Sequence, residues 1–441
     1  MSNRQKYLEK LKEFIAIPSV SAKQQSQSAA AQFLRETLHE AGAQVVVDGE
    51  FGAPFVFAKF VSNKPNAKTL VLYNHYDVQP EEPLELWLSQ PFVLTERDGK
   101  LFGRGVDDDK GHITSRLTAI TDYLENHKSL PVNIYWIIEG AEETASLGLD
   151  KYLEKYQDEF QNDDLVIWES GEVHSNDRVE IVGGNKGIIT FDLSATSAND
   201  DFHSSYASVA DSATWHLIEA IASLRNDDGS IAIEGLYDDA IEPNERELEL
   251  VSHSEITPDS IKKEFGLKLP LLTETSGEDF NDNLYFKSNL NIEGIVSGYI
   301  GTGVKTVTPA HATAKMEIRL VPGQVPDDIF QKLVSQLQKN GFSDIEAKLT
   351  LGEPGYRSDM SAPAILKLIE IAKKLYHGAD VYPTSAGTGP MYYANKFIKA
   401  PIATAGIGYD GSLDHAPNEN IRIEDYDKHI KLIEELIASY E

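Results

Sequence analysis

Residues 69–80 read Thr69-Leu-Val-Leu-Tyr-Asn-His75-Tyr-Asp77-Val-Gln-Pro80 and decide the fold class. The run begins with consecutive apolar residues, as is typical of a strand that is buried between helices in an α/β sheet. It ends in His75 and Asp77, and alternate residues of a strand point to the same side. Because ligands of open α/β sheets bind beyond the carboxyl ends of the strands, the stretch predicts a polar site at the sheet edge. A lone His-x-Asp pair also occurs where a strand ends in a solvated turn, so this single stretch leaves that alternative open.

The same alternation of helix and strand surrounds this stretch up to about residue 185 and returns after residue 355. Predicted helices cover 3–16, 26–41 and 112–126, and predicted strands cover 44–47, 55–60, 132–138 and 165–168. We expect an α/β domain with helices on both faces of its sheet, formed by residues 1–185 and 355–441. Between them, strands at 188–194, 314–320 and 345–351 and helices at 212–224 and 327–340 predict an inserted two-layer α+β domain, residues 186–354. Residues 226–295 are expected to be an acidic, irregular elaboration.

Composition excludes several functional classes. The chain has 441 residues and a formal net charge of −30, so nucleic-acid binding and binding to anionic membrane surfaces are not expected. It has no cysteine, which excludes disulfides, thiolate zinc fingers, iron–sulfur clusters and cysteine nucleophiles. Histidine and carboxylate are therefore the only strong metal ligands available. No apolar run is long enough to cross a bilayer, and we expect a cytoplasmic protein.

Four further segments place histidine or carboxylates after apolar runs or in turn-rich loops. They contain Asp107-Asp108-Asp109 between Gly105 and Gly111, the pair Glu142-Glu143 after residues 132–138, Glu169 after residues 165–168, and His415 in the loop 408–419. Each segment alone has an ordinary explanation, such as aspartates that cap the start of a helix. Their recurrence at successive strand ends favours a shared site, in which a metal ion and a glutamate base could act on water.

Together the segments resemble the co-catalytic di-zinc aminoacylase and dipeptidase family of metallopeptidases. That family includes cytosolic non-specific dipeptidase, carnosinase, acetylornithine deacetylase and succinyl-diaminopimelate desuccinylase. The matching motifs are His75-x-Asp77-Val-x-Pro80, Gly103-Arg-Gly-x-x-Asp108-Asp-Lys-Gly111 and Glu142-Glu143. The inserted domain resembles the carnosinase-like branch through Asp201-Phe-His203-Ser, Gly303-Val-Lys-Thr-Val-Thr-Pro309 and Ile318-Arg319-Leu-Val-Pro322. The resemblance implies a mixed-sheet catalytic domain and an inserted α+β lid and dimerisation domain.

The resemblance also implies a metal site with two Zn²⁺ ions per subunit, for which Co²⁺ or Mn²⁺ could substitute. Asp108 would bridge the two ions; the other implied ligands are His75 and Glu169 on one ion and Glu143 and His415 on the other. Asp77 would orient His75, and Glu142 would be the general base. The family's cis peptide bond would lie between Asp108 and Asp109, with Asp107 as a solvated neighbour. Five site carboxylates and two divalent cations would leave one negative charge, whereas five carboxylates alone could not all stay ionised in one pocket.

In the inserted domain the resemblance implies residues that hold the substrate. His203 would stabilise the tetrahedral oxyanion, often from the other subunit of a dimer. Arg319 would clamp the substrate's C-terminal carboxylate, assisted by Gly387 and Thr388 of a glycine-rich loop. A homodimer formed through the inserted domain is therefore expected.

The predicted function is zinc-dependent hydrolysis of dipeptides or short peptides that have a free C-terminal carboxylate. One alternative is an N-acyl-amino-acid deacylase or a carboxypeptidase. Glu169 favours this alternative, because dipeptidases of the family usually have aspartate at that ligand position and deacylases and carboxypeptidases more often have glutamate. A remote alternative is a non-catalytic paralogue that binds metal or peptide, which the complete set of motif residues disfavours.

Overall fold

The chain has an α/β fold that divides into two compact units. A computed structural model describes residues 2–441. Unit 1 contains the residues up to Gly184 together with Ser358–Pro383 and Tyr393–Glu441, and unit 2 contains Asn185–Arg357 and Thr384–Tyr392. Unit 2 is therefore built from two chain segments, and the shorter one carries Gly387 and Thr388.

Helices and strands follow one another along the whole chain. The helices are α1 (Asn3–Ile15), α2 (Gln27–Glu40), α3 (Lys110–His127), α4 (Leu149–Tyr156), α5 (Ala213–Ala222), α6 (Glu245–Ser252), α7 (Pro258–Glu264), α8 (Leu272–Ser276), α9 (Phe280–Phe286), α10 (Pro326–Lys339), α11 (Pro363–Leu375), α12 (Met391–Ile398) and α13 (Ile423–Ala438). The strands are β1 (Gln44–Asp48), β2 (Phe55–Phe60), β3 (Thr69–His75), β4 (Thr95–Arg97), β5 (Lys100–Phe102), β6 (Asn133–Glu139), β7 (Asp163–Trp168), β8 (Val179–Val182), β9 (Gly184–Asn185), β10 (Gly187–Thr196), β11 (Phe202–His203), β12 (Asn289–Ser297), β13 (Val307–Thr308), β14 (His311–Leu320), β15 (Glu346–Glu353), β16 (Tyr356–Arg357), β17 (Ala379–Tyr382), β18 (Ile402–Thr404) and β19 (Asn420–Arg422). Among residues 2–441, no helix combines the length and apolar character that a bilayer crossing requires.

A mixed six-stranded sheet is the centre of unit 1, with strand order β1-β2-β6-β3-β7-β18. Strands β6, β3, β7 and β18 run parallel to one another, and β1 and β2 complete the sheet in antiparallel pairing. Every residue of β3 is buried, which requires cover on both faces of the sheet. The continuous apolar run after Thr69 is thus a central strand of the sheet, as its sequence predicts.

Unit 2 contains a four-stranded antiparallel sheet in the order β12-β14-β10-β15. Along β10 and β14 buried residues alternate with more exposed ones, so one face of the sheet forms a core and the other does not. Helices α5 and α10 contribute to that core, with Leu217 and Leu333 fully buried. This is the predicted two-layer α+β arrangement.

Strand β12 corrects the expectation that residues 226–295 are irregular. It begins at Asn289 and pairs with β14 over almost its whole length, with a bulge between Ile292 and Gly294. Its residues are mostly exposed because it is the edge strand, and its asparagines and glycine disfavour strand assignment from sequence. Helices α6 to α9 lie between Glu245 and Phe286, whereas residues 226–244 consist mainly of turns and irregular backbone, as expected.

Candidate metal centre

The carboxyl ends of three neighbouring parallel strands bring three of the predicted metal ligands together, namely His75, Glu143 and Glu169. His75 ends β3 and lies opposite Glu139, the last residue of β6. Glu142 and Glu143 follow β6 in a short 3₁₀ turn, and Glu169 follows the last residue of β7. Parallel pairing therefore places these side chains at one edge of the sheet, as expected for a ligand site in an α/β fold.

Asp108 lies between two histidines and contacts each with a different carboxylate oxygen. The distance from His75 Nε2 to Asp108 Oδ1 is 2.7 Å, and that from His415 Nε2 to Asp108 Oδ2 is 2.9 Å. His415 Nε2 also lies 3.2 Å from Glu143 Oε2. Two sets of potential ligands result, His75 with Asp108 and Glu169, and Asp108 with Glu143 and His415, each within 4.8 Å of one another. We call these five residues with Glu142 the histidine–carboxylate cluster. The peptide bond from Asp108 to Asp109 is cis, as the resemblance implies.

The donor atoms of this cluster fit a pair of divalent cations. Each set offers one imidazole nitrogen and carboxylate oxygens, which are common ligands of catalytic zinc, and Asp108 has one oxygen for each set. Glu143 Oε1 is buried without a hydrogen-bond partner among the described residues. A buried carboxylate oxygen without a donor is costly unless something positive satisfies it. The residues present therefore suit the metal pair implied by the family resemblance.

The electrostatics of the histidine–carboxylate cluster show why it needs positive charge. Burial raises the pKa of the Glu169 carboxyl to about 8, with Asp109 and Asp108 adding to the shift. Burial also raises the pKa of Glu142 far above its usual range, and that of Glu143 to a smaller extent. Hydrogen bonds to Asp108 and Glu143 raise the pKa of His415 to about 11. These shifts have one cause, the crowding of acidic groups in a buried place, and divalent cations held by the same residues would offset that negative charge.

Asp77 connects the two strand ends that carry His75 and the glutamate pair. It is completely buried, and its carboxylate accepts hydrogen bonds from the backbone N–H groups of Glu142, at 3.2 Å, and Glu143, at 3.1 Å. His75 Nδ1 lies 3.4 Å from Asp77 Oδ1 and 3.1 Å from the Asp77 carbonyl oxygen. These contacts leave His75 Nε2 to face Asp108, which is the orientation that a histidine ligand needs.

Glu419 is a positioning residue that the sequence motifs did not reveal. It is fully buried, and its carboxylate accepts hydrogen bonds from Arg104 Nη1 at 2.8 Å and from the backbone N–H groups of Gly105, Asp107 and Asp108 at 2.8, 2.9 and 3.1 Å. Glu419 therefore fixes the loop that presents Asp108. The available signal was its place four residues after His415, in a loop of otherwise turn-forming residues.

Arg116 is a second positioning residue that no sequence motif revealed. Its buried guanidinium donates to the carbonyl oxygens of Tyr73 at 2.8 Å and Trp168 at 2.6 Å. These carbonyls lie near the ends of β3 and β7, so Arg116 holds together the strands that present His75 and Glu169. Burial lowers the pKa of Arg116 to about 10, which leaves it charged at neutral pH.

Asp107 corrects one expectation, because it is buried and not a solvated neighbour of Asp108. It is 8% exposed, and burial raises its pKa well above the usual range. The third aspartate, Asp109, is also buried and accepts hydrogen bonds from Asn74 Nδ2 at 2.6 Å and from the backbone N–H of His75 at 3.0 Å. The aspartate triplet is therefore part of the interior of unit 1.

In unit 2, Arg319 and the glycine-rich segment lie together. Arg319 Nη1 donates to Thr388 Oγ1 at 2.6 Å, and Glu317 Oε1 lies 3.5 Å from Arg319 Nε. The carbonyl of Gly387 accepts a hydrogen bond of 2.8 Å from the backbone N–H of Lys186. We call Lys186, Arg319, Gly387 and Thr388 the Arg319 cluster. Lys186 had no predicted role.

His203 lies elsewhere in unit 2, in the two-stranded antiparallel sheet formed by β11 and β13, and its side chain is exposed. The backbone N–H of Ser205 donates to His203 Nδ1 at 3.1 Å. An Nδ1 that accepts a hydrogen bond leaves the proton of the neutral ring on Nε2. His203 therefore presents an Nε2–H donor, close to Thr306 Oγ1 at 3.4 Å.

The profile of Peptidase family M20/M25/M40 matches residues 71–439, which include every residue of the histidine–carboxylate cluster. The chain belongs to this peptidase family. It is therefore a hydrolase of the M20 type, in agreement with the resemblance found in its motifs. The match begins within β3 and ends next to the last residues of the chain, so it spans both units.

Several proteins of known structure or function are similar to this M20 chain. The solved structure of an M20 family metallo-carboxypeptidase, Sso-CP2 from Sulfolobus solfataricus, is 36% identical, covers 98% of this chain and 99% of its own, and superimposes with a TM-score of 0.89. Beta-Ala-His dipeptidase from Rattus norvegicus is 28% identical over 319 residues, which are 70% of this chain and 64% of that protein. This chain thus covers less than two thirds of the rat protein. Cys-Gly metallodipeptidase DUG1 from Candida albicans is 26% identical over 449 residues, 96% of this chain and 92% of the relative.

Proposed function

We propose that this M20 chain is a zinc-dependent dipeptidase that cleaves dipeptides or short peptides with a free C-terminal carboxylate. The observation that carries the proposal is the position of Asp108, whose two carboxylate oxygens contact the histidines of two separate ligand sets. A shared carboxylate of this kind suits a pair of cations, as in two-metal hydrolases. The rat relative is a Beta-Ala-His dipeptidase and the Candida relative a Cys-Gly metallodipeptidase, which supports dipeptides as the substrate class.

Each residue of the histidine–carboxylate cluster has a role in the proposal. Asp108 would be shared by both Zn²⁺ ions, with His75 and Glu169 on one ion and Glu143 and His415 on the other; Co²⁺ or Mn²⁺ could substitute. Such ions, when bound, polarise a substrate carbonyl and lower the pKa of water. Asp77 orients His75, and Glu419 and Arg116 fix the backbone around Asp108 and the strand ends.

Glu142 is proposed to move the proton in the reaction. Its carboxylate takes a proton from the attacking water while the water oxygen bonds to the peptide carbonyl carbon. Glu142 then gives that proton to the amide nitrogen as the carbon–nitrogen bond breaks, so the leaving group is a neutral amine. Asp77 holds the backbone N–H of Glu142 and thereby sets where this carboxylate lies.

Arg319, Thr388 and His203 are proposed to bind the substrate. Arg319 already donates to Thr388, and its planar guanidinium has further N–H groups for a C-terminal carboxylate. Gly387 would add backbone contacts to that carboxylate. His203 Nε2–H would donate to the oxyanion that forms during attack by water.

A second candidate function is that of a carboxypeptidase or N-acyl-amino-acid deacylase, and Glu169 favours it. The family resemblance associates glutamate at this ligand position with such enzymes, and the similar Sulfolobus structure is described as a metallo-carboxypeptidase. The two candidates share the same site and mechanism. They differ in the acyl part of the substrate, on the N-terminal side of the scissile bond: one amino acid for a dipeptidase, a longer peptide for a carboxypeptidase, and an acyl group for a deacylase. Substrate tests can separate these cases.

The test compares metal-loaded wild type with Glu142→Gln on dipeptides, longer peptides and N-acetyl or N-succinyl amino acids. We expect dipeptides to be turned over fastest, and the variant to lose about 10²–10⁴-fold in kcat while it keeps its bound metal. Glu154→Gln, an exposed glutamate in α4, serves as the matched control and should act as wild type. Unchanged turnover in Glu142→Gln would refute the mechanism. Preference for longer peptides or acyl amino acids would favour the second candidate.

A homodimer through unit 2 is the proposed assembly. The edge strand β12 and the loop after it expose apolar side chains, with Val296 77%, Ile300 97% and Val304 92% exposed. An exposed apolar strand edge is a natural surface for pairing with a second copy. We expect a dimer by light scattering for wild type and a monomer for the double variant Val296→Lys with Ile300→Asp. A monomeric wild type with full activity would refute the proposed action of His203 across the dimer.

The cytoplasmic location stays a prediction.

A further inference from the structure

Lys186 in unit 2 is a buried cation that has no acidic partner among the described residues. It lies between β9 and β10 and is 3% exposed. Its ammonium donates to the backbone carbonyl of Lys287 at 2.6 Å. Within residues 2–441, no carboxylate makes an ion pair with Lys186, and the one charged group that acts on it noticeably is Arg319, which has the same sign. Burial and Arg319 together lower the pKa of Lys186 to about 8, so it is still mostly protonated at neutral pH.

The neighbouring cation, Arg319, has an acidic neighbour, unlike Lys186. Glu317 lies 3.5 Å from its Nε atom, and Thr388 accepts a hydrogen bond from its Nη1 atom. Lys186 contacts the same glycine-rich segment, because its backbone N–H donates to Gly387. The Arg319 cluster therefore holds two cations against one loop, and in the part of the chain that the structure describes only Arg319 has an acidic neighbour. A buried charge without a partner is costly, so an anionic ligand beside Lys186 would offset that cost.

Lys186 also lines a cavity of about 630 Å³ within unit 2, which we call the Lys186 cavity. The cavity is bordered by Ala386, the residue before Gly387, and by Asn289, which pairs with Arg319 across β12 and β14. Its wall thus adjoins the proposed site for the substrate's C-terminal carboxylate. Leucines from α8 and β12 supply apolar wall surface, namely Leu272 and Leu290.

We propose that the Lys186 cavity is a subsite for an acidic side chain of the substrate's C-terminal residue, with Lys186 as the residue that pairs with the side-chain carboxylate. This inference rests on the proposed function, because Arg319 and Thr388 take the α-carboxylate of the same residue. It names the substrate class as peptides that end in aspartate or glutamate. A carboxylate next to a buried ammonium forms a charge-assisted hydrogen bond, whereas the amide of asparagine or glutamine lacks the charge.

The test measures kcat/KM for Ala-Asp and Ala-Glu against the isosteric Ala-Asn and Ala-Gln. Wild type should favour the acidic member of each pair by about tenfold or more. Lys186→Met should reduce that ratio to about one, and Lys186→Arg should retain most of it. Lys332→Met is the matched control, because Lys332 also donates to a backbone carbonyl, that of Gly235 at 2.8 Å, but has Asp239 as an acidic partner at 3.2 Å. This control should keep the wild-type ratio and activity.

The pH profile of the acid-to-amide ratio distinguishes a charge role from a structural one. The ratio should fall as the pH rises past about 8, where the Lys186 ammonium loses its proton. The other charged groups that face the cavity or Lys186 are Arg319, Arg225, Lys287, Asp228 and Glu278. If Lys186 only supported the Lys287 carbonyl, Lys186→Met would change kcat/KM for acidic and neutral substrates equally.

A binding measurement separates failure of the subsite from failure of the proposed function. Calorimetry with free aspartate and asparagine should show tighter binding of aspartate to wild type and equal binding to Lys186→Met. If no peptide is hydrolysed but this difference is present, the proposed function fails and the subsite stands. The subsite is overturned if wild type treats acid and amide alike, or if Lys186→Met raises KM equally for both because Lys186 serves the α-carboxylate.

Discussion

The two clusters of this molecule hold charge in opposite ways. In unit 1, the histidine–carboxylate cluster concentrates acidic groups around Asp108, and buried neighbours such as Glu419 and Asp77 fix its members by hydrogen bonds. In unit 2, the Arg319 cluster concentrates cations, and among the described residues the Lys186 ammonium has only the carbonyl oxygen of Lys287 as a partner. One cluster is thus short of positive charge and the other of negative charge.

The difference shows how a charge imbalance in a buried site indicates its ligand. Burial and mutual repulsion raise the pKa values of these carboxyls, so a bound cation would stabilise their ionised forms. The two imidazoles among them favour zinc as that cation. Cations without acidic partners call for an anion, and a planar guanidinium favours a carboxylate. Substitutions in each cluster can test whether it takes the ligand that its imbalance indicates.

The largest effect is expected at Asp108, which both ligand sets share. Asp108→Asn keeps the shape of the side chain but removes the charge between the two histidines, so we expect loss of both metal ions and a fall in kcat/KM of about 10³-fold or more. His415→Ala removes a ligand from one set only and should retain about one ion per chain. Metal analysis after dialysis measures both variants. An Asp108→Asn protein that keeps two ions would contradict the shared role of this carboxylate.

The next effect tests the Arg319 cluster. Arg319→Met should reduce kcat/KM by about 10–100-fold on a dipeptide with a free C-terminus, mainly through KM, since a charged hydrogen-bonding partner of the carboxylate is lost. An amidated dipeptide lacks that carboxylate, so the same substitution should change its hydrolysis very little. Arg246→Met, in the exposed ion pair of α6, is the control. Equal losses on the free and amidated substrates would show that Arg319 does not bind the carboxylate.

The sequence allowed much of unit 1 to be predicted because the necessary signals are local. Apolar runs that end in His75 or Glu169 indicate both the buried strand and the polar residue at its end. Burial on both faces of the sheet then fixes the fold class, as the fully buried β3 shows. Strand β12 could not be found in this way, since an exposed edge strand with asparagine and glycine lacks an apolar pattern.

The positioning residues and Lys186 could not be predicted because their roles depend on contacts far apart in sequence. Glu419 binds the backbone of residues 105–108, and Lys186 binds carbonyls at Lys287 and Gly387. In the sequence, Lys186 lies in a Gly-Gly-Asn-Lys-Gly stretch that indicates only a change of domain. The family roles of Arg319, Gly387 and Thr388 stay predictions, although the structure brings these three residues together.

Glu419 provides a smaller test of how firmly the histidine–carboxylate cluster is held. In Glu419→Gln one carboxylate oxygen becomes an NH₂ group that faces backbone N–H donors, and buried Arg104 loses its charged partner. We expect metal affinity to fall by about 10–100-fold although Glu419 is not a predicted ligand. Competition with a chelator measures the affinity, and Glu154→Gln is the control. Unchanged affinity would mean that the Asp108 loop keeps its shape without Glu419.

The smallest effect concerns a buried carboxyl that belongs to neither cluster. Glu353, at the end of β15 in unit 2, is 8% exposed, and burial raises its pKa to about 7 from an ordinary value near 4.5. Below pH 4.5 both the folded and unfolded forms are protonated; as the pH rises towards 7, the unfolded form ionises first, so stability falls across this window and then levels off. Glu353→Gln removes this loss and should raise the free energy of unfolding at pH 8 by about 1–3 kcal/mol relative to wild type, while leaving it nearly unchanged at pH 4.

Denaturant unfolding at both pH values measures the difference, with Glu346→Gln, an exposed glutamate on the same strand, as the control. The same gain at both pH values would show that Glu353 acts through packing rather than charge. A buried ionisable group would then have little effect through its charge, and the burial of the Lys186 ammonium would be weaker support for an anionic ligand beside it.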